Sequence, residues 1–254
     1  MGERRRVALV TGSATGIGAA IAKTLAAAGY NVIVNYSRSR DAAQATMAAC
    51  DEAGSDSLLV QCDVSDESSV MAMMGEIETK YGCLDAVCNN AGISIDTLAK
   101  DFDEVSVEEF DRVFAVNVRG LFLIAKHSKP LLLKGQHPCI VNSASIAGVR
   151  PGPQPLPYTA SKAAVVAMTQ SLCLALGPEI RVNAVAPGWV EGEWMEWMLG
   201  ENYEKLIARR SKMTPMARCV TLEDIAEVVL TLIEHMKSVT GETIVVDGGF
   251  ARTT

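Results

Sequence analysis

Short β-branched and aliphatic runs alternate along the chain with longer stretches whose apolar residues recur at helical spacing. The runs predict strands at Val7–Thr11, Asn31–Tyr36, Ser57–Cys62, Leu84–Cys88, Cys139–Ser143, Arg181–Val185 and Thr243–Val246. The stretches between them predict helices at Gly16–Ala28, Asp41–Ala53, Glu67–Tyr81, Val107–Leu132, Tyr158–Leu176 and Leu222–Glu234. The fourth of these helices is long enough to invite a bend near Pro130, and Gly177-Pro178 stops the fifth. Repeated strand–helix alternation predicts a doubly wound α/β fold, a parallel sheet with helices on both faces. No repeat, low-complexity tract or linker divides the chain, so residues 1–254 read as one domain. The alternation fails only at residues 188–220, which hold Trp189, Trp194 and Trp197 with Met195, Met198, Met213 and Met216.

Composition narrows the function classes. The 254 residues are 49% hydrophobic, enough to bury a full sheet. No run reaches the roughly 18 uninterrupted apolar residues of a membrane span. The opening MGERRRVALVTG passes from arginines into a strand without the apolar core of a secretory signal, and Arg6 breaks a myristoylation pattern. A soluble cytoplasmic protein is expected. With 23 basic against 30 acidic residues, the net charge of −7 disfavours nucleic acid and anionic membranes as partners. The seven cysteines are scattered, and Cys83 and Cys88 have neither a second pair nor a nearby His for a metal site. They read as reduced, structural thiols.

Candidate chemistry begins after the first strand, at Thr11-Gly12-Ser13-Ala14-Thr15-Gly16-Ile17-Gly18. Glycines there let the backbone turn and approach a pyrophosphate, and the following helix offers unpaired N–H groups. A tight turn without a ligand fits the same glycines, since the spacing is G-x-x-x-G-x-G. The second strand ends in Asn35-Tyr36-Ser37-Arg38, with no acid before Asp41 to hold a ribose 2′-hydroxyl. Ser37 and Arg38 suit a 2′-phosphate instead. NADP(H) is therefore expected over NAD(H), the alternative.

Tyr158 and Lys162 stand four apart on one face of a predicted helix. A nearby ammonium lowers a phenol's pKa and makes the pair a tuned acid/base, although such a pair also occurs on exposed helix faces. Ser145 follows the fifth strand, where its hydroxyl can donate to a developing alkoxide; Ser143 is the fallback. Asn117 lies on the apolar stripe of Phe110, Phe114, Leu121 and Ile124, and a buried amide needs partners.

Thr11-Gly12-x3-Gly16-Ile17-Gly18, Asp63-Val64, Asn89-Asn90-Ala91-Gly92, Asn117, Ser145, Tyr158-x3-Lys162, Pro187-Gly188 and Val246-Asp247-Gly248-Gly249 follow one another in order. In this set the chain resembles the short-chain dehydrogenase/reductase family over nearly its whole length. The resemblance implies a Rossmann fold with a seven-stranded sheet in the order 3-2-1-4-5-6-7. It implies hydride exchange between nicotinamide and a carbonyl or secondary alcohol, with Asn117, Ser145, Tyr158 and Lys162 catalytic and Asn117 holding a water that reaches Lys162. Gly12, Ser13, Thr15, Gly16, Ile17, Gly18, Ser37, Arg38, Asp63, Val64, Asn90, Ala91, Gly92, Pro187, Gly188 and Val190, with Tyr158 and Lys162, would hold the cofactor. Residues 188–220 would cover the substrate, and a homotetramer would form through the helices of residues 107–132 and 158–176, with Ala163, Ala164, Ala167 and Met168 allowing close packing. Gly192 stands where the family often has Thr. The reading of the substrate leans to a 3-oxoacyl group. Sugar or polyol oxidation, or a dinucleotide-binding regulator without catalysis, are the alternatives.

Overall fold

The computed structural model describes residues 4–97, 99–192, 195–196 and 200–253. Seven strands form one parallel sheet: β1 (Val7–Val10), β2 (Asn31–Tyr36), β3 (Leu58–Gln61), β4 (Ala86–Asn89), β5 (Cys139–Ser143), β6 (Arg181–Pro187) and β7 (Thr243–Val246). Their order is β3-β2-β1-β4-β5-β6-β7, as the sequence predicts. The order reverses at β1 and β4, which opens a crevice at their carboxyl ends.

Both faces of the sheet are covered, so the central strands are apolar throughout rather than alternating. In β1, Ala8 and Val10 face α1 (Gly16–Ala27), α2 (Arg40–Glu52) and the last long helix, while Val7 and Leu9 face α3 (Glu67–Tyr81). Asp66 caps α3 through the Ser69 amide, and left-handed Gly82 (φ 74°) ends it.

The predicted helix of residues 107–132 is three pieces. α4 (Val107–Phe114) starts at a Ser106–Glu109 capping box, a π-helical turn spans Ala115–Gly120, and α5 (Leu121–Leu132) follows. The irregularity thus lies at Asn117, and α5 continues through Pro130. Gly120 explains part of this: a Cβ there would stand 2.8 Å from Val64 Cγ2, so only glycine lets the loop after β3 pack against the turn.

A short α6 (Ile146–Val149) follows β5, and α7 (Leu156–Leu176) begins two residues before Tyr158 with Pro157 in its first turn. Gly177 ends α7 with φ −73° rather than in the left-handed region. Pro178 supplies the stop, because a residue before proline is kept out of the helical region. Among the described residues of 188–220 is an α-helix the pattern missed, α8 (Tyr203–Met213), and α9 (Leu222–Glu234) starts at a Thr221–Asp224 capping box. Trp194, Trp197 and Met198 lie outside the described residues. Cys62 falls just after β3, Cys88 and Cys139 lie within strands, and all seven cysteines are free.

Candidate active site

The glycine loop is held by side chains from two neighbouring strands. Asn35 Oδ1, buried at the end of β2, accepts from Gly12 N at 3.0 Å, and the Asn35 carbonyl accepts from Ser13 N at 2.9 Å. The Thr11 hydroxyl accepts from the amides of Asn90 and Ala91 at 3.0 and 3.1 Å. Asn90 Nδ2 donates to the carbonyls of Thr11 and Gly12, both at 3.1 Å. The amide nitrogen of Asn90 is therefore committed to shaping the loop. The motif reading quotes Thr11 without a role, and Asn35 does not stand out by spacing; their roles appear only once parallel strands bring them beside the loop.

The loop fits a pyrophosphate by two tests. A Cβ at Gly12 would lie 2.8 Å from Ala91 Cα, and one at Gly18 would lie 2.4 Å from the Gly12 carbonyl oxygen, while one at Gly16 (φ 57°) would meet nothing within 4 Å. The loop is packed behind and open in front. The N-cap of α1, Thr15, makes no side-chain cap, unlike those of α3, α4 and α9, so the first-turn amides and the positive end of the helix dipole face outward. Ser13 contributes from inside, donating to the Val10 carbonyl at 2.7 Å.

Further along the crevice, Ser37 and Arg38 are exposed just after β2. Asp63 is also exposed, and its Oδ1 accepts from the Ser65 amide and hydroxyl at 2.9 and 2.7 Å. Val64 is buried and lines a small cavity with Thr11, Asn89, Asn117, Ser143 and Lys162. Pro187 ends β6, and a Cβ at Gly188 would lie 2.5 Å from Asp247 Cβ, which ties the end of β6 to the Val246–Gly249 turn. Val190 bridges to Val220. At Gly192 (φ 147°) the amide donates to Tyr203 Oη at 3.3 Å, a phenol that spacing alone does not single out.

The π turn sets Asn117 against the loop after β4. Its Oδ1 accepts from Ile93 N at 2.8 Å, and its Nδ2 donates to the Ile93 carbonyl and Ser161 Oγ, both at 2.9 Å. Ser161 Oγ in turn donates to the Tyr158 carbonyl at 2.7 Å. The Asn117 amide thus clamps the loop to α7 on the Tyr158 turn. Lys162 is 5% exposed, and its Nζ donates to the Ser143 carbonyl at 2.7 Å and lies 5.7 Å from the Tyr158 ring centroid. A Cβ at Gly92 would be 3.3 Å from Asn117 Oδ1 and 3.4 Å from Lys162 Nζ, so glycine permits this approach. Asn89, which the motif reading quotes without a role, donates from Nδ2 to Asn142 Oδ1 at 3.0 Å, and its own Oδ1 is buried in the cavity without a partner.

Ser145 caps α6, accepting from the Ala147 amide at 3.2 Å, and its hydroxyl hydrogen-bonds the Tyr158 phenol. Ser143 offers its carbonyl to Lys162, and its hydroxyl donates to Asn90 Oδ1 at 3.5 Å. Burial raises the Tyr158 phenol above the ordinary value of about 10, partly offset by the Ser145 hydrogen bond. The expected lowering by Lys162 is not what dominates; burial is. Burial lowers Lys162 itself to about 8. At neutral pH the site therefore holds a protonated phenol beside a lysine close to its titration point.

An acid, an ammonium and a hydroxyl opposite a glycine loop at a sheet's switch point define a nicotinamide-linked oxidoreductase. Residues 12–251 match the family model described as enoyl-(acyl carrier protein) reductase. The chain belongs to the short-chain dehydrogenase/reductase family, oxidoreductases that exchange hydride between a nicotinamide dinucleotide and a carbonyl or alcohol carbon. It is 37% identical over 244 residues to a 3-oxoacyl-(acyl-carrier-protein) reductase FabG of Staphylococcus aureus strain Mu50, covering 95% of this chain and 96% of that one. It is 38% identical over 251 residues to a short-chain dehydrogenase/reductase of Armillaria gallica, covering 96% and 95%. The crystal structure of levodione reductase superposes with a TM-score of 0.90 at 30% identity, covering 98% of both chains.

Proposed function

We propose that the protein is an NADPH-dependent carbonyl reductase with Tyr158 as its general acid. The observation that carries the reading is the Ser145–Tyr158–Lys162 group on β5, α6 and α7, with a phenol that keeps its proton at neutral pH. A general acid must hold a proton to give, and the phenol holds its own at neutral pH. The bound nicotinamide supplies the hydride. Tyr158 gives its proton to the carbonyl oxygen, and Ser145 donates a hydrogen bond to the same oxygen as charge develops on it. Lys162 holds positive charge behind the phenol and binds the ribose hydroxyls, and Asn117 positions Tyr158 through Ser161. The small cavity lined by Asn117, Asn89 and Lys162 supports a water between Asn117 and Lys162.

Gly12 to Gly18 and the start of α1 would hold the pyrophosphate, Asp63 and Val64 the adenine, Asn90 to Gly92 the adenosine ribose, and Pro187, Gly188 and Val190 the nicotinamide end. Ser37 and Arg38 would take the 2′-phosphate. The relatives' names support a 3-oxoacyl thioester as substrate, and residues 188–220 would cover it. The cytoplasm and a homotetramer complete the proposal. Exposed Phe122, Leu133 and Leu174 with the small Ala163 and Ala167 on α5 and α7 supply the apolar faces that subunits would bury. α7 alone among the described helices is long and apolar enough to cross a membrane, and its buried Ser161, Lys162 and Thr169 face the protein.

The test is turnover of 3-oxobutanoyl-N-acetylcysteamine with each dinucleotide. NADPH is expected to be preferred, and Arg38→Glu to cut that preference by about 10- to 100-fold, the worth of a charged hydrogen bond replaced by repulsion. A wild-type preference for NADH contradicts the cofactor assignment.

Lys162 also predicts a pH profile. Its ammonium is present below about 8 and is lost above it, so kcat/KM for NADPH is flat on the acid side and falls on the alkaline side of that value. A profile that rises through this range contradicts the role given to the charge.

A further inference from the structure

Residues 188–220 carry five cations that the reaction does not use: Lys205, Arg209, Arg210, Lys212 and Arg218. Arg218 is paired with Asp224 through both guanidinium Nη atoms. Lys205, Arg209 and Lys212 are exposed. Arg210, on α8, is different. Its guanidinium carbon lies 4.5 Å from the Trp189 ring centroid and 5.5 Å from that of Phe250, and the two rings meet edge to face at 6.5 Å. Its Nε is buried with no hydrogen-bond partner, and it makes no ion pair among the described residues. Gln154 Oε1 is likewise buried without a partner. Both side chains line one pocket with Trp189, Phe250, Arg150 and Ile146, the residue after Ser145. Arg150 is committed to the chain end, donating to the Ala251 carbonyl at 3.0 Å.

A buried N–H without an acceptor is costly. Ring faces hold such a cation in place through their quadrupoles and use none of its N–H donors. The clamp therefore fixes a charged fork and leaves its donors for something that enters the pocket. The planar fork matches carboxylate and phosphate oxygens. Burial, and then the neighbouring charge of Arg209, lower the Arg210 pKa.

We propose that this pocket binds an oxyanion, carboxylate or phosphate, carried by the carbonyl substrate, with Arg210 as the residue that selects for it. The proposal rests on reduction at Tyr158, and Ile146, which follows Ser145 in the chain, lines the pocket. Two matched pairs test it at saturating NADPH: keto acids of rising chain length against their methyl esters, and the 3-oxobutanoyl thioester of phosphopantetheine against that of N-acetylcysteamine. The anionic member of one pair is expected to have the higher kcat/KM. Arg210→Met should shrink that preference by about 10- to 100-fold, and Arg210→Lys should restore part of it. Preference in the first pair identifies a carboxylate; preference in the second identifies the carrier phosphate. No preference in either pair, or a preference that survives Arg210→Met, overturns the proposal. Calorimetric binding of the same keto acids separates it from the catalytic reading. Binding that is lost in Arg210→Met, in a protein that reduces none of them, keeps the pocket and removes Tyr158 from its role.

Discussion

Tyr158→Phe is expected to lower kcat by about 10²- to 10⁴-fold, the usual worth of a positioned general acid, and to leave the Kd for NADPH within a few-fold of the parent. The substitution removes one oxygen and keeps the ring. Lys162 stays bonded to the Ser143 carbonyl, and the backbone at position 158 stays bonded to Ser161, because neither contact uses the phenol. Ser145 keeps the Ala147 amide. The remaining rate would come from Ser145 and from orientation alone. Stopped-flow turnover with fluorescence titration of NADPH gives both numbers, and a kcat near that of the parent would defeat the acid assignment.

Gly18→Ala is expected to raise the Kd for NADPH at least about tenfold, since small misplacements of a positioned site are costly. Its new Cβ would stand 2.4 Å from the Gly12 carbonyl oxygen, 2.5 Å from Asn90 Nδ2 and 2.9 Å from Ser13 Cα. The first two atoms are hydrogen-bonded to each other, so the methyl drives apart the contact that joins the glycine loop to the loop after β4. Overpacking of this kind costs about 1–3 kcal/mol of stability. That corresponds to a melting-temperature drop of about 3–10 °C for a chain of this size. Calorimetry and a thermal melt check the two effects together. An unchanged Kd would mean that the loop does not contact the cofactor.

Much of the fold is written in local pattern. Strands buried on both faces read as unbroken apolar runs, and β2, β5 and β7 match their expected bounds, as do α3 and α9. What pattern misses follows from contacts distant in sequence. The π turn at Ala115–Gly120 depends on Val64 packing against Gly120, so a stripe of apolar residues reads as one long helix there. α8 lies in a segment whose apolar residues have no regular period, and it is placed by its contacts with residues 189–192 and 219.

The site divides in the same way. Residue type and spacing point to Tyr158, Lys162 and Ser145, because their chemistry needs those side chains at strand and helix ends. The roles of Thr11, Asn35 and Asn89 are silent in the sequence; ordinary polar residues acquire them only when parallel strands place them beside the glycine loop. The same holds for Arg210, one of five cations by composition and a clamped, unpaired one only in three dimensions. The electrostatics also shift the account of the pair that the helix spacing suggests. Lys162 is not the main influence on the phenol; burial is, and it leaves Tyr158 as a proton donor rather than a ready phenolate.

The most direct test follows an isotope. NADPH carrying deuterium at its transferable position is incubated with the protein and a 3-oxobutanoyl thioester, and the product is examined by mass spectrometry. Reduction at this site predicts deuterium on the new carbinol carbon in the parent and almost none in Tyr158→Phe. A product without the label, or equal labelling by the two proteins, would contradict it.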